Sequence, residues 1–383
     1  MKKRIYTFVM QKDCFIAVLA AMFLSSCAGT TKTSTGAIVN DEMENLHKGS
    51  VSLSSLVDVE NIIPLETTDV SLLGEISKIQ KKEDLIYVSS RNRPLSLFDK
   101  QGRFVGQIGS IGVGPEEYVQ LIDFDVDRDF VYLLTNQKIQ VYEKDGEWVK
   151  SIPLELNASG ICVTESNLFL FVLGDKYVVH ILDKDGHAGQ QVQESNQALR
   201  LNRAMPFIEC GDSVLFPLGR SNDILVFDTS KSNASSYVNY LSSNQLSNEE
   251  EARMMDESSQ YQRLMQQMGC FDGLMADNTH IIFPYIKGNG IQIWVKGIQD
   301  GSCTAYMLAQ MENDITFAPT ANFFYGNTVD DVGFLTYIMP YRLRECMSEA
   351  GDRADSPYFA KMREVLGQVD EESNPILIEY KVK

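Results

Sequence analysis

Four aspartates alternate at Asp123, Asp125, Asp127 and Asp129. In an extended strand they share one face and repel one another, and a hard cation such as calcium relieves that repulsion. The stretch lacks the central glycine and distal glutamate of an EF-hand loop. The expectation is therefore no resident cofactor: the carboxylates divide between strand and turn and cap backbone N–H groups, with calcium as the alternative. The four histidines offer little catalysis. His47 lies in a polar N-terminal segment, His187 in a turn, and His180 and His280 in strands, where a single satisfied ring is expected. Neither Gly-x-Ser-x-Gly nor HExxH occurs, and the 52 acidic residues do not single out a glycosidase pair. Cys162, Cys210, Cys270, Cys303 and Cys346 are scattered without CxxC or metal-ligand spacing. They read as small apolar residues, with one disulfide left open. Among cationic and aromatic candidates, Arg91, Arg93, Arg220, Lys287 and Tyr285 fall in or beside polar hairpins. Arginines there can clamp a carboxylate bidentately; the other reading is solvated hairpin tips. Exposed aromatics such as Tyr285, Trp294 or Tyr325 would suit a sugar.

The elements that must position these residues repeat. Leu85–Val88, Phe130–Leu133, Leu168–Phe171, Val214–Phe216, Ile281–Phe283 and Phe334–Tyr337 each follow a polar turn. Each precedes a polar hairpin and a second strand: Leu95–Phe98, Ile139–Tyr142, Val178–Leu182, Ile224–Phe227, Ile291–Val295 and Ile376–Tyr380. Three second strands run into Lys-x-Gly turns at Gly102, Gly146 and Gly186, where glycine takes a positive φ freely. Six units of four antiparallel strands cannot bury both faces singly, but a ring of them can. The predicted fold is all-β: a six-bladed β-propeller. The last unit lacks an outer strand, and residues 61–67 are expected to supply it, closing the ring and removing a free edge.

Two insertions interrupt the period, at about 242–270 and 341–373. Ser247–Met268 reads as a helix, with Ser247 and Glu250 at capping-box spacing. The second insertion reads as two short helices, the latter opening at Ser356-Pro357 and ending at Gly367. With strands named A to D from the axis outward, the Lys-x-Gly turns lie on one face. The B–C hairpins, the D–A crossovers and both insertions lie on the other. Loops on a rigid scaffold are where recognition usually resides, so function is expected on that rim.

One crossover, residues 109–120, contains Gly109-Ser110-Ile111-Gly112-Val113-Gly114-Pro115-Glu116-Glu117-Tyr118. Its glycines invite a phosphate-loop reading, which fails because no helix follows. The run Ile108-Gly109, then Gly112 to Tyr118, then Asp123-Phe124-Asp125 resembles six-bladed propeller lipoproteins of Gram-negative gut-type bacteria, with NHL- and TolB-like propellers as the generic background. The resemblance spans about residues 60–383. It implies fold and envelope location, and no catalytic residues.

The first 27 residues read as an address. Lys2, Lys3 and Arg4 precede a short apolar run, and Leu24-Ser25-Ser26-Cys27 resembles a lipobox. Cys27 is the expected lipidation site, followed by a flexible tether over 28–58 and the propeller over 59–383. Ala28, where inner-membrane retention would call for aspartate, favours the outer membrane, and no acidic run follows Cys27 to favour surface export, so the periplasmic side is expected. A formal charge of −18 argues against nucleic acid or anionic lipid as a partner for the domain. The reading is a monomeric, membrane-anchored, non-enzymatic propeller recognising a glycan, a peptide or an envelope protein. The alternative is a carbohydrate hydrolase or lyase acting at the central channel.

Overall fold

The computed structural model describes residues 34–40, 45–194, 206–217, 223–229, 235–241, 270–271, 274–287, 290–324, 327–328 and 333–383. Six antiparallel sheets form the ring. Blade one comprises Ile76–Lys82, Leu85–Ser90, Leu95–Asp99 and Phe104–Ile108. Blade two comprises Asp123–Val126, Phe130–Leu134, Lys138–Glu143 and Trp148–Pro153. Blade three comprises Ala158–Val163, Asn167–Val172, Tyr177–Asp183 and Ala188–Glu194. Blade four comprises Ile208–Cys210, Ser213–Pro217, Asp223–Asp228 and Ser235–Leu241. Blade five has Cys270–Phe271 and Met275–Ala276 on its inner side, then His280–Lys287, Gly290–Gly297 and Cys303–Met307. Blade six runs Asn327–Thr328, Phe334–Ile338, Ile376–Val382 and Val57–Pro64.

Burial follows from that stacking. A middle strand such as Phe130–Leu134 packs on both faces and is buried almost throughout. The outer strand Phe104–Ile108 has solvent beside it, so its burial alternates. Six apolar clusters fill the interfaces, one per pair of neighbouring blades. The sixth-to-first interface joins Ile63, Leu335 and Leu377 to Ile79, Ile86 and Phe98, so the ring is closed by packing as well as pairing.

The closing strand begins earlier than the predicted Asn61. Val57 pairs with Val382 and Ile63 with Leu377, so the last strand is matched along its whole length. Lys81 and Asn61 both reach Glu379, at 2.7 and 2.8 Å, and tie the same seam. Part of the segment expected to be a flexible tether is also paired. Ser34–Asn40 runs parallel to Ser235–Leu241, Asn45–Leu46 parallel to Cys303–Met307, and Val51–Ser52 parallel to Met311–Glu312. Its polar composition misleads because edge pairing uses backbone groups alone and needs no apolar period.

The second insertion holds helices Pro340–Ser348 and Pro357–Leu366. Ser356 accepts a bond from Tyr358 N–H, and Pro357 occupies the first turn. Leu343, Cys346, Met362 and Leu366 pack onto the interface of blades five and six. The first insertion, the signal segment and Cys27 lie outside the described residues. No helix among the described residues is long and apolar enough to cross a membrane.

Candidate recognition site on the insertion-bearing rim

Around the axis, the inner strands place their polar side chains against one another. Asp123 accepts Lys78 Nζ at 3.0 Å and Ile161 N–H at 2.9 Å. Asp125 accepts Gln80 Nε2 at 2.6 Å and Val163 N–H at 2.6 Å. Each aspartate therefore ties blade two to blades one and three. Asp127 caps the following turn, accepting Asp129 N–H and Phe130 N–H, and takes Lys184 at 2.7 Å. The alternating carboxylates are thus divided between strand and turn. Burial alone lowers the Lys78 pKa, but Asp123 and Asp125 outweigh it and push it above its usual value.

Lys82 of blade one meets Glu209 of blade four at 2.5 Å. Those blades face each other across the ring, so this pair crosses the axis at the turn end of the channel. Asp125, Cys162 and Glu209 offer ligand atoms within 4.8 Å of one another there. Val163 N–H, Gln80 and Lys82 already engage the two carboxylates. Burial pushes the Cys162 thiol well up, so it is no ready nucleophile. His180 is buried and held by Tyr177 O at 3.1 Å and Asp175 at 3.2 Å.

The opposite face is built differently. Crossover 109–120 is anchored along its length to blades one and two. Tyr142 Oη donates to Glu116 O at 2.6 Å, and Gln140 Nε2 to Pro115 O at 2.9 Å and Glu117 O at 3.2 Å. Lys138 Nζ reaches Pro115 O at 3.1 Å. Gln140 is fully buried and is itself held by Trp148 Nε1 at 3.0 Å and by Ser151. The Tyr118 ring is buried, and its hydroxyl accepts Leu95 N–H and donates to Ile108 O. Burial, with Glu116 and Glu117 nearby, pushes Tyr142 up to about 12, so it stays a donor.

Two glycines are required by this geometry. Gly109 has φ +68°, and a Cβ there would stand 2.8 Å from both the Tyr118 ring and the Tyr142 hydroxyl. At Gly112 a Cβ would collide with the Glu117 carboxylate, which accepts Gly114 N–H at 2.8 Å.

So braced, the crossover still leaves its apolar tip in water. Val113 is 93% exposed and Val119 70%. Between this loop and the blade-two hairpin lies a groove of about 690 Å³. Its lining includes Gln120 of the crossover and Thr135, Asn136, Gln137 and Ser151 of blade two. These side chains offer both donors and acceptors.

Of the residues expected on the rim, Arg91, Arg93 and Tyr285 have described side chains, and Tyr285 does not share the surface of the other two. Arg91 is exposed and pairs with Glu75 at 3.3 Å, and Arg93 is an exposed hairpin tip. Arg220 and Tyr325 lie outside the described residues. Lys287 ends a blade-five strand, and its side chain is outside the described set. Tyr285 is corrected from surface to core: it is 4% exposed and packs on buried Trp294 with ring centroids 5.0 Å apart. The reason is its place in the long strand His280–Lys287, paired with Gln292 rather than standing in a hairpin tip. The groove residues Asn136, Gln137 and Lys138 were visible as one polar hairpin. That they face the glycine crossover was hidden, because the two meet only once the blade folds.

Fold and site together define a closed six-bladed propeller whose concave, loop-bearing rim is separate from a channel packed with ion pairs. The chain belongs to the family described as Domain of unknown function (DUF4934), which matches residues 37–381. A Bacteroides fragilis protein whose name assigns it to export has a similar crystal structure. It has TM-score 0.71 and 16% identity, with 89% of this chain and 99% of that one covered. That likeness shows the fold. BamB from Moraxella catarrhalis has TM-score 0.35, 14% identity, and 65% and 66% of the two chains covered. PorZ of Porphyromonas gingivalis has TM-score 0.38, 11% identity, and 62% and 27% covered. Neither of these two carries a functional argument. No curated protein matches the chain.

Proposed function

We propose that this protein is an envelope-located, non-enzymatic binding propeller. It recognises an extended peptide segment of a partner protein in the groove between the glycine crossover and the blade-two hairpin. One observation carries the reading: the crossover is fastened through its own buried Tyr118 to blade one and by Tyr142 and Gln140 to blade two, yet holds Val113 almost fully in solvent. Rigid support for an exposed apolar side chain makes sense where a partner covers it. The neighbouring amides and hydroxyls suit the alternating N–H and C=O groups of an extended chain. A groove of about 690 Å³ is within the range of ligand sites.

Envelope location draws support from the lipobox-like Leu24-Ser25-Ser26-Cys27 and from the exported name of the Bacteroides fragilis protein. Ser34–Asn40 runs alongside the outer strand of blade four from its turn end toward its rim end. An anchor at Cys27 then holds the turn face toward the membrane and leaves the rim facing outward. The channel alternative, a hydrolase or lyase, is not favoured, because the inner-strand carboxylates Asp123, Asp125 and Glu209 are engaged by lysines, amides or backbone N–H groups.

Selection of a random displayed-peptide library against the folded domain tests this reading. Fully burying one valine is worth about 1.5–3 kcal/mol. Val113→Asp is therefore expected to weaken selected peptides at least tenfold, with Gln137→Ala weakening them less. Peptides that bind Val113→Asp as well as the parent would overturn it.

A further inference from the structure

We infer that a second, separate site on the same rim binds a neutral sugar ring, where blade six and its insertion meet the crossover from blade five. Trp148, Tyr337 and Tyr341 are the large aromatics that stand exposed among the described residues, and two of the three line one depression of about 120 Å³. Tyr337 is 41% exposed and ends the second strand of blade six; Tyr341 is 54% exposed and opens the first helix of the insertion. Thr316, Asn322, Thr336 and Arg342 supply its polar lining, and Ala318, Phe323, Ile338 and Met339 its apolar lining. No carboxylate side chain lines the depression. Aromatic faces beside hydroxyl and amide groups match a pyranose, which shows an apolar C–H face and a polar edge. The volume takes one edge of a ring, with the face left to lie on the tyrosines.

The backbone under this wall is strained and held. Phe317, between lining residues Thr316 and Ala318, has φ +62°, which a bulky side chain avoids. Asn313 fixes the turn by accepting Ile315 N–H and Thr316 N–H and donating to Thr316 Oγ1 at 2.7 Å. Arg353, from the insertion, donates to Phe317 O at 2.9 Å. Strain maintained by such a network clusters at ligand sites. It also explains why the insertion stands at this hairpin: it supplies Tyr341 and Arg342 to the wall and Arg353 to the turn.

Saturation-transfer NMR on the full-length folded protein tests this, with methyl glycosides of glucose, galactose, mannose and N-acetylglucosamine as probes. The expected result is transfer to the ring protons of at least one glycoside. Tyr341→Ala should weaken it about tenfold or more, Tyr337→Ala similarly, and Tyr341→Phe should retain it. Val105→Ala, on the outer strand of blade one, should change nothing. No transfer to any of the four glycosides would overturn the inference. So would transfer undiminished in both alanine variants.

Discussion

Asp123→Ala is expected to loosen the ring at its inner seam. The Asp123 side chain is buried and accepts bonds from Lys78 Nζ, Phe124 N–H and Ile161 N–H at 3.0, 2.8 and 2.9 Å. Its removal leaves a buried ammonium with the Phe124 carbonyl at 2.6 Å as its remaining hydrogen-bond partner, and it orphans a buried N–H of blade three. Removing one partner of a buried pair costs about 3–5 kcal/mol, and an orphaned donor about 1–3 kcal/mol within the same change. Against a total stability of about 5–15 kcal/mol, a loss of about 3–5 kcal/mol is severe. The assay is urea unfolding by tryptophan fluorescence, read as a fall in midpoint. The double variant Asp123→Ala, Lys78→Met removes the stranded charge and should recover at least half of the loss. A single-variant loss below about 1 kcal/mol, or a double variant no better than the single, would refute the claim that these carboxylates join the blades.

The turn of blade two makes a pH prediction. Burial alone raises the Asp127 pKa, but Lys184 and the Phe130 and Asp129 N–H groups outweigh it and hold it below the usual value. Its contribution to stability is therefore fully present above the unfolded pKa of about 3.9 and is lost as pH falls through the lower folded value. Unfolding midpoints across that window should fall less steeply in Asp127→Asn. Gly109→Ala should cost more than about 1–2 kcal/mol, because it adds a Cβ at positive φ against two tyrosines; thermal unfolding reads it. Deleting the chain through residue 64 removes the closing strand and should give aggregated or oligomeric protein by size-exclusion chromatography. Deletion through residue 44 keeps Val57–Pro64 and should leave a monomer.

The ring was legible because its signal is local and repeated. Phe130–Leu134 and its five equivalents are apolar runs between polar turns, and that pattern survives without knowledge of neighbours. Closure was legible in outline, since the last unit lacked a partner and Asn61 to Pro64 offered one. Its true start at Val57 was not, because Val57-Asp58-Val59-Glu60 alternates weakly on an outer edge where only one side packs. The paired segment before it was hidden for the same reason, carried further: its short strands pair through backbone groups, and the few apolar residues that anchor it, such as Val51 and Leu53, show no period. The site was legible as a rim but not as residues. Tyr285 looked like a surface aromatic beside a hairpin, and only strand length shows it to be core. Tyr337 and Tyr341 gave no signal, since one ends a strand, the other opens a helix, and the wall they share forms between elements. The glycine crossover was recognised as distinctive, yet its reason lies in its own Tyr118 meeting Leu95 and in Tyr142 and Gln140, contacts that form only through the fold.

Methyl NMR of the isoleucine- and valine-labelled domain, titrated with a peptide selected on the parent protein, tests the central claim most directly. The account predicts that the perturbed methyl groups are those of Ile111, Val113 and Val119, which are exposed on the crossover or flank it. Perturbation confined to methyl groups remote from the groove, such as Val105 of blade one and Ile291 of blade five, would contradict it.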